Sequence, residues 1–101
     1  MTGRLTIKVG PHPPQPCVEA YDLTTAECEI LRGIMTNNWS DSVDYRLKRD
    51  CDAFLQSYRP PRAEGEKDGW ALIEFWTHDR GKIDAFVEHL NRRLAAVTLE
   101  R

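Results

Sequence analysis

The sequence predicts an α+β domain: a small two- or three-stranded sheet packed with three amphipathic helices, in the order β(β)ααβα. Three observations predict it. Residues 4–9 alternate polar and apolar without a break. Three later stretches repeat apolar residues at spacings of three and four. Residues 70–77 concentrate aromatic and β-branched side chains in a short run. A chain of 101 residues is one domain, 1–101, because domains run to roughly 50–200 residues. Leu, Ile, Val and Phe number 22, just above the roughly one-fifth share below which chains fail to fold. The core is therefore lean.

In Arg4-Leu5-Thr6-Ile7-Lys8-Val9, Leu5, Ile7 and Val9 share one side of a strand and Arg4, Thr6 and Lys8 the other, the pattern of a half-buried strand. The Pro-rich stretch 10–16 stops it and reads as a rigid, extended connector. Its Pro13-x-x-Pro16 spacing also fits a groove-docking peptide, but a connector is the simpler use. Residues 17–23 form a possible second strand, with Val18 and Ala20 alternating against Glu19 and Tyr21. Thr24-Thr25-Ala26-Glu27 matches a capping box. The helix it opens gathers Ile30, Leu31, Ile34 and Met35 on one face, beside Cys28. Asn37-Asn38 suits its end through left-handed geometry.

Ser40 or Asp41 caps a second helix. Its stripe is Val43, Leu47, Cys51, Phe54, Leu55 and Tyr58, spaced as one helical face. Asp44, Arg46, Lys48, Arg49, Asp50 and Asp52 are its solvated remainder, and Pro60-Pro61 closes it. Residues 59–69 read as a flexible loop. Residues 70–77 are a strand, and Asp79 N-caps the last helix. That helix buries Ile83, Phe86, Val87, Leu90, Leu94 and Val97, with His89, Asn91, Arg92 and Arg93 facing elsewhere.

The formal net charge is −2, and no third of the chain departs far from neutrality. The charge pattern gives no clear nucleic-acid signal, which would need clustered Lys and Arg. No run approaches a membrane span, and the N-terminal residues lack a secretory pattern. Cys17, Cys28 and Cys51 are odd in number and widely spaced, so free thiols in a cytoplasmic setting are expected. No close Cys or His pair supports a metal site, and no cofactor is implied.

The strand at 70–77 sets the functional expectation. Trp70, Leu72, Glu74 and Trp76 share one side and Ala71, Ile73, Phe75 and Thr77 the other. Both sides are apolar and both need cover. Either the three helices cover both, or they lie on one side and another chain covers the other. The second arrangement is favoured. The leading expectation is a small non-catalytic protein-interaction or regulatory protein, of adaptor, inhibitor or immunity type. Its partner-binding residues are Trp70, Leu72 and Trp76, and its partner is another protein or a second copy in a homodimer. The alternative is a small-molecule or nucleotide-binding module. Its pocket lies near Trp39 and Trp76, with Arg80 or Lys82 holding an anionic group at the helix N-terminus. A further alternative is an enzyme using Cys51 or the pair His78-Asp79. Cys51 on an apolar stripe and Asp79 at a helix start both have simpler structural uses.

Overall fold

The computed structural model describes residues 5–9, 15–37 and 42–99. The alternating N-terminal segment forms β1 (Thr6–Val9), and β2 (Pro16–Leu23) runs antiparallel to it, with Val9 opposite Pro16. Residues 10–14 of the Pro-rich connector lie outside the described residues, and Pro16 belongs to the strand rather than to the connector. A proline as first residue costs the sheet no interior ladder bond. Val18, Ala20 and Leu23 are buried. A register shift between Ala20 and Leu23, with Asp22 at φ 58°, turns Leu23 back to the core side.

The capping box forms as the sequence dictates and opens α1 (Thr25–Thr36). The Glu27 amide donates to Thr24 Oγ1 at 3.2 Å, and the Thr24 amide donates to Glu27 Oε1 at 2.9 Å. Cys28, Leu31, Ile34 and Met35 face the core. The helix ends differently from the expectation. Asn37 is extended, at φ −81° and ψ 112°, not left-handed. The carbonyls at this end are satisfied instead by Lys48, whose Nζ donates to Met35 O at 3.2 Å and Asn37 O at 2.7 Å.

The second helix is shorter than the apolar stripe implied. α2 covers only Val43–Asp50, and residues 53–58, expected as its second half, form β3 (Ala53–Arg59) together with Arg59, expected in the loop 59–69. The sheet therefore has four strands, not two or three, in the order β1-β2-β4-β3. The physical cause is a bulge. The register on β4 (Gly69–Phe75) shifts between Leu55 and Ser57, so Ala53, Leu55 and Tyr58 all fall on the core side. A strand with a bulge spaces its inward residues by two and then three. With Phe54 apolar on the other side, that spacing imitates a helical stripe. Val43, assigned to the stripe, is 52% exposed. Lys48, assigned to the solvated side, is buried.

The chain leaves α2 by a sharp turn. The Asp52 amide donates to Arg49 O at 3.1 Å, and Asp52 itself sits at φ 48°. Its carbonyl accepts from the Trp76 amide at 3.2 Å, which ties this corner to the end of β4. Residues 60–68 connect β3 to β4 as an antiparallel hairpin, and α3 (Arg80–Leu99) follows. Asp79 caps α3 as expected: its carboxylate accepts from the Lys82 amide at 3.3 Å. Ile83, Phe86, Leu90 and Leu94 are fully buried. Phe86 meets Phe75 edge to face at a centroid distance of 6.3 Å. The Leu5 amide donates to Asn91 Oδ1 at 3.0 Å, joining the edge of the sheet to α3.

Gly69 fixes how close α1 comes to the sheet. A Cβ there would stand 2.6 Å from Cys28 Sγ and 2.8 Å from Leu23 O. The second neighbour is backbone and cannot swing away. Gly69→Ala is therefore expected to destabilise the chain by about 1–3 kcal/mol, the usual cost of overpacking. Each kcal/mol corresponds to roughly 4–8 °C in a domain of this size. A thermal melt of the variant tests this, and an unchanged midpoint would contradict the packing at this contact.

Candidate functional site

Alternation along β4 divides the sheet into two unlike sides. Gly69, Ala71, Ile73 and Phe75 are buried beneath the helices. Trp70, Leu72 and Glu74 are half-buried on the opposite side, and Trp76, just past the strand, is 62% exposed. Among the described residues, all three helices pack on the Ile73–Phe75 side. The register assigns the residues of the uncovered side. Arg59 lies beside Trp70; Ser57 and Glu19 flank Leu72; Phe54 and Cys17 flank Glu74.

The uncovered side carries two apolar pieces with a carboxylate next to one of them. Phe54 stacks on Trp76 at a centroid distance of 5.5 Å and an interplanar angle of 23°. At the other end, Trp70 Nε1 donates to Glu19 Oε2 at 3.3 Å, and the Tyr21 hydroxyl donates to the same oxygen. Glu19 therefore holds the Trp70 indole against the sheet. The structure brings the expected partner-binding residues Trp70, Leu72 and Trp76 onto one surface. It adds Phe54, which the helical reading of residues 53–58 had hidden.

The ligand-binding residues are not gathered in this way. Trp39 lies outside the described residues. Arg80 is exposed and pairs with Asp84, one turn on, at 3.1 Å. Lys82 is exposed as well. An open cavity of about 740 Å³ lies at the other end of the sheet, between the start of α1 and the β3–β4 connection. Trp76, Arg80 and Lys82 do not line it. Glu29, Glu64 and Glu66 do, and its Arg62 is held by Asp68 at 2.6 Å.

The residues weighed for catalysis have structural employment. Cys51 is fully buried, and its thiol donates to Leu47 O at 3.3 Å and Lys48 O at 3.5 Å. Burial pushes its pKa up to about 12, so the thiolate that attacks electrophiles is essentially absent at neutral pH. His78 is exposed, and Asp79 is occupied as the cap of α3. Among the described residues, no cluster of three or more His, Cys, Asp or Glu could hold a metal ion, and no helix is long and apolar enough to cross a membrane.

Two polar features were not legible in the sequence. Asp44 of α2 accepts hydrogen bonds from His89 and, at 2.5 Å, from Arg93 of α3. The sequence reading placed all three on solvated surfaces, yet Asp44 and His89 are only 17% and 12% exposed. Lys48 is the second feature. Burial pushes its pKa down, and two carbonyls at the end of α1 receive the ammonium. Both contacts join residues far apart in the chain, so no local spacing announces them.

Comparisons with protein-family models, with curated proteins and with solved structures find no match for this chain. The functional reading therefore rests on the molecule's own geometry.

Burial alone would raise the Asp44 pKa. Hydrogen bonds from His89 and Arg93, with the charge they carry, outweigh it and hold the carboxyl below its ordinary value. A carboxyl with a depressed folded pKa stabilises the fold above its unfolded pKa of about 3.9. That contribution is lost as pH falls through the lower folded value. Asp44→Asn should therefore cost about 1–2 kcal/mol at neutral pH in urea unfolding. The gap from the native chain should narrow as pH drops below about 4. An equal gap at neutral and strongly acid pH would contradict the role of the charge.

Proposed function

We propose that this chain is a non-catalytic protein-binding module, an adaptor, inhibitor or immunity-type protein, whose docking surface is the sheet side bearing Trp70, Leu72 and Trp76. One observation supports this reading above the rest. The helices cover one side of the sheet, while two tryptophans, a leucine and a phenylalanine stand on the other. Trp76 is exposed on that side, and an exposed large apolar side chain grouped with others on a small domain fits an interaction site. Tryptophan is the side chain most often found carrying binding energy at the centre of interfaces. Each aromatic ring offers roughly 150–250 Å² for burial, at about 25 cal/mol per Å².

The surface is also semi-rigid. Trp70 is tethered by Glu19, and Trp76 is stacked on Phe54. Ordering them on binding therefore costs less side-chain entropy than ordering free rings. The buried, bonded Cys51 thiol leaves the enzyme alternative without a nucleophile at that position. Cys17, Cys28 and Cys51 are buried and none is in a disulfide, which suits a reducing compartment such as the cytoplasm.

Leu72→Ser with Trp76→Ser tests the reading. Neither side chain belongs to the helix-side core, so the double variant should melt within a few degrees of the native chain. Crosslinking in source cells should capture a partner, a copy or another protein, through the native chain and not through the variant. Partner capture that survives both substitutions would contradict the assignment of the face.

A further inference from the structure

We infer that the occupant of the uncovered sheet face is a second copy of this chain, held by Arg59 of each copy against Glu74 of the other. The inference rests on the docking-face reading above and names its partner.

Besides Glu19 and Lys8, which the register also places there, the face carries two opposite charges that do not meet. Glu74 and Arg59 both lie on it, on adjacent strands, and among the described residues neither side chain has an ion pair or hydrogen bond. Arg59 lies beside Trp70, four residues back along β4 from Glu74. At about 3.3 Å per residue, the two are roughly 13 Å apart and cannot satisfy each other. The face's other carboxylate, Glu19, is already engaged by Trp70 and Tyr21. Covering this surface with an uncharged partner would bury Glu74 unpaired, which is strongly unfavourable. A partner must bring a cation to Glu74 and an acceptor to Arg59, in that separation and on an apolar ground.

A second copy meets all of these conditions. Leu72 is the midpoint of β4 between Trp70 and Glu74. A two-fold axis through Leu72, lying in the interface and crossing the strands, stacks each β4 on the other in the reverse direction. Leu72 then meets its own counterpart. Each Trp70 lies over the other copy's Glu74 level. Each Arg59 arrives over Phe54 and beside Glu74 of the other copy, because Phe54 is the direct cross-strand neighbour of Glu74. The guanidinium gains a carboxylate and an aromatic face together. Such self-complementarity is what an isologous interface requires. Face-to-face sheets stand about 10 Å apart, within reach of these side chains. A four-stranded face of strands four to eight residues long is small, at the low end of specific interfaces.

Sedimentation of the full chain over a concentration series tests the arrangement. The native chain should pass from monomer to dimer. Arg59→Glu alone and Glu74→Arg alone should each weaken the dimer at least about tenfold, from like charges facing twice. The double variant carrying both should recover to within about threefold of the native chain. Mixing the two single variants should also produce a heterodimer, because each supplies the charges the other lacks. At dilutions where the native chain is monomeric, circular dichroism melts of all variants should match it, since both residues lie off the core. A native chain that stays monomeric at high micromolar concentration overturns the inference, as does a dimer indifferent to these substitutions. Neither result touches the docking-face reading, which falls only if partner capture survives Leu72→Ser with Trp76→Ser.

Discussion

The one-sided packing of helices on the sheet governs the rest of this structure. Val18, Ala20, Ala71, Ile73 and Phe75 form a continuous apolar floor, and Leu31, Ile34, Ile83, Phe86 and Leu90 close over it. A chain with so few large aliphatic residues builds one such layer, and among the described residues no helix packs on the other side. Gly69 lets α1 approach the floor closely, and the perpendicular contact of Phe75 with Phe86 centres α3. The tryptophan-bearing side is thus a consequence of the core rather than a separate device.

Polar chemistry does for α2 what apolar packing does for α1 and α3. This helix is eight residues long, too short to be stable by itself, and Val43 at its start faces water. Leu47 packs against the core, Lys48 reaches the carbonyl end of α1, and Asp44 receives His89 and Arg93 of α3. Each buried charge has its hydrogen bonds, the condition under which charges are tolerated at low exposure. The turn at Asp52 then delivers the chain into β3 and binds the Trp76 amide. The corner that holds α2 in place is also the corner that positions the Phe54–Trp76 stack.

Local periodicity made several elements legible in advance. The capping box at Thr24–Glu27, the alternation of residues 4–9, the aromatic run of residues 70–77 and the spacing in α3 all act within a few residues. The sequence shows them directly. What failed was β3. Its bulge shifts the inward residues from a spacing of two to three, and Phe54 makes the other side apolar too. Both effects mimic a helix continuing from Leu47 and Cys51. The candidate face was half visible: Trp70, Leu72 and Trp76 are neighbours in sequence, while Phe54 and Arg59 join them only through strand pairing. Lys48 and the Asp44–His89–Arg93 group were hidden for the same reason, since an acid 45 residues from its histidine leaves no local pattern.

Fluorescence of a chain retaining Trp76 as its sole tryptophan, with Trp39 and Trp70 replaced by Phe, tests the one-sided packing most directly. At dilution, the indole should emit close to its wavelength in water and be readily quenched by acrylamide, as a ring exposed on one side of its Phe54 stack should be. A blue-shifted, quencher-resistant emission from the dilute monomer would mean that the chain shelters this ring itself, contradicting the uncovered sheet face on which the functional reading stands.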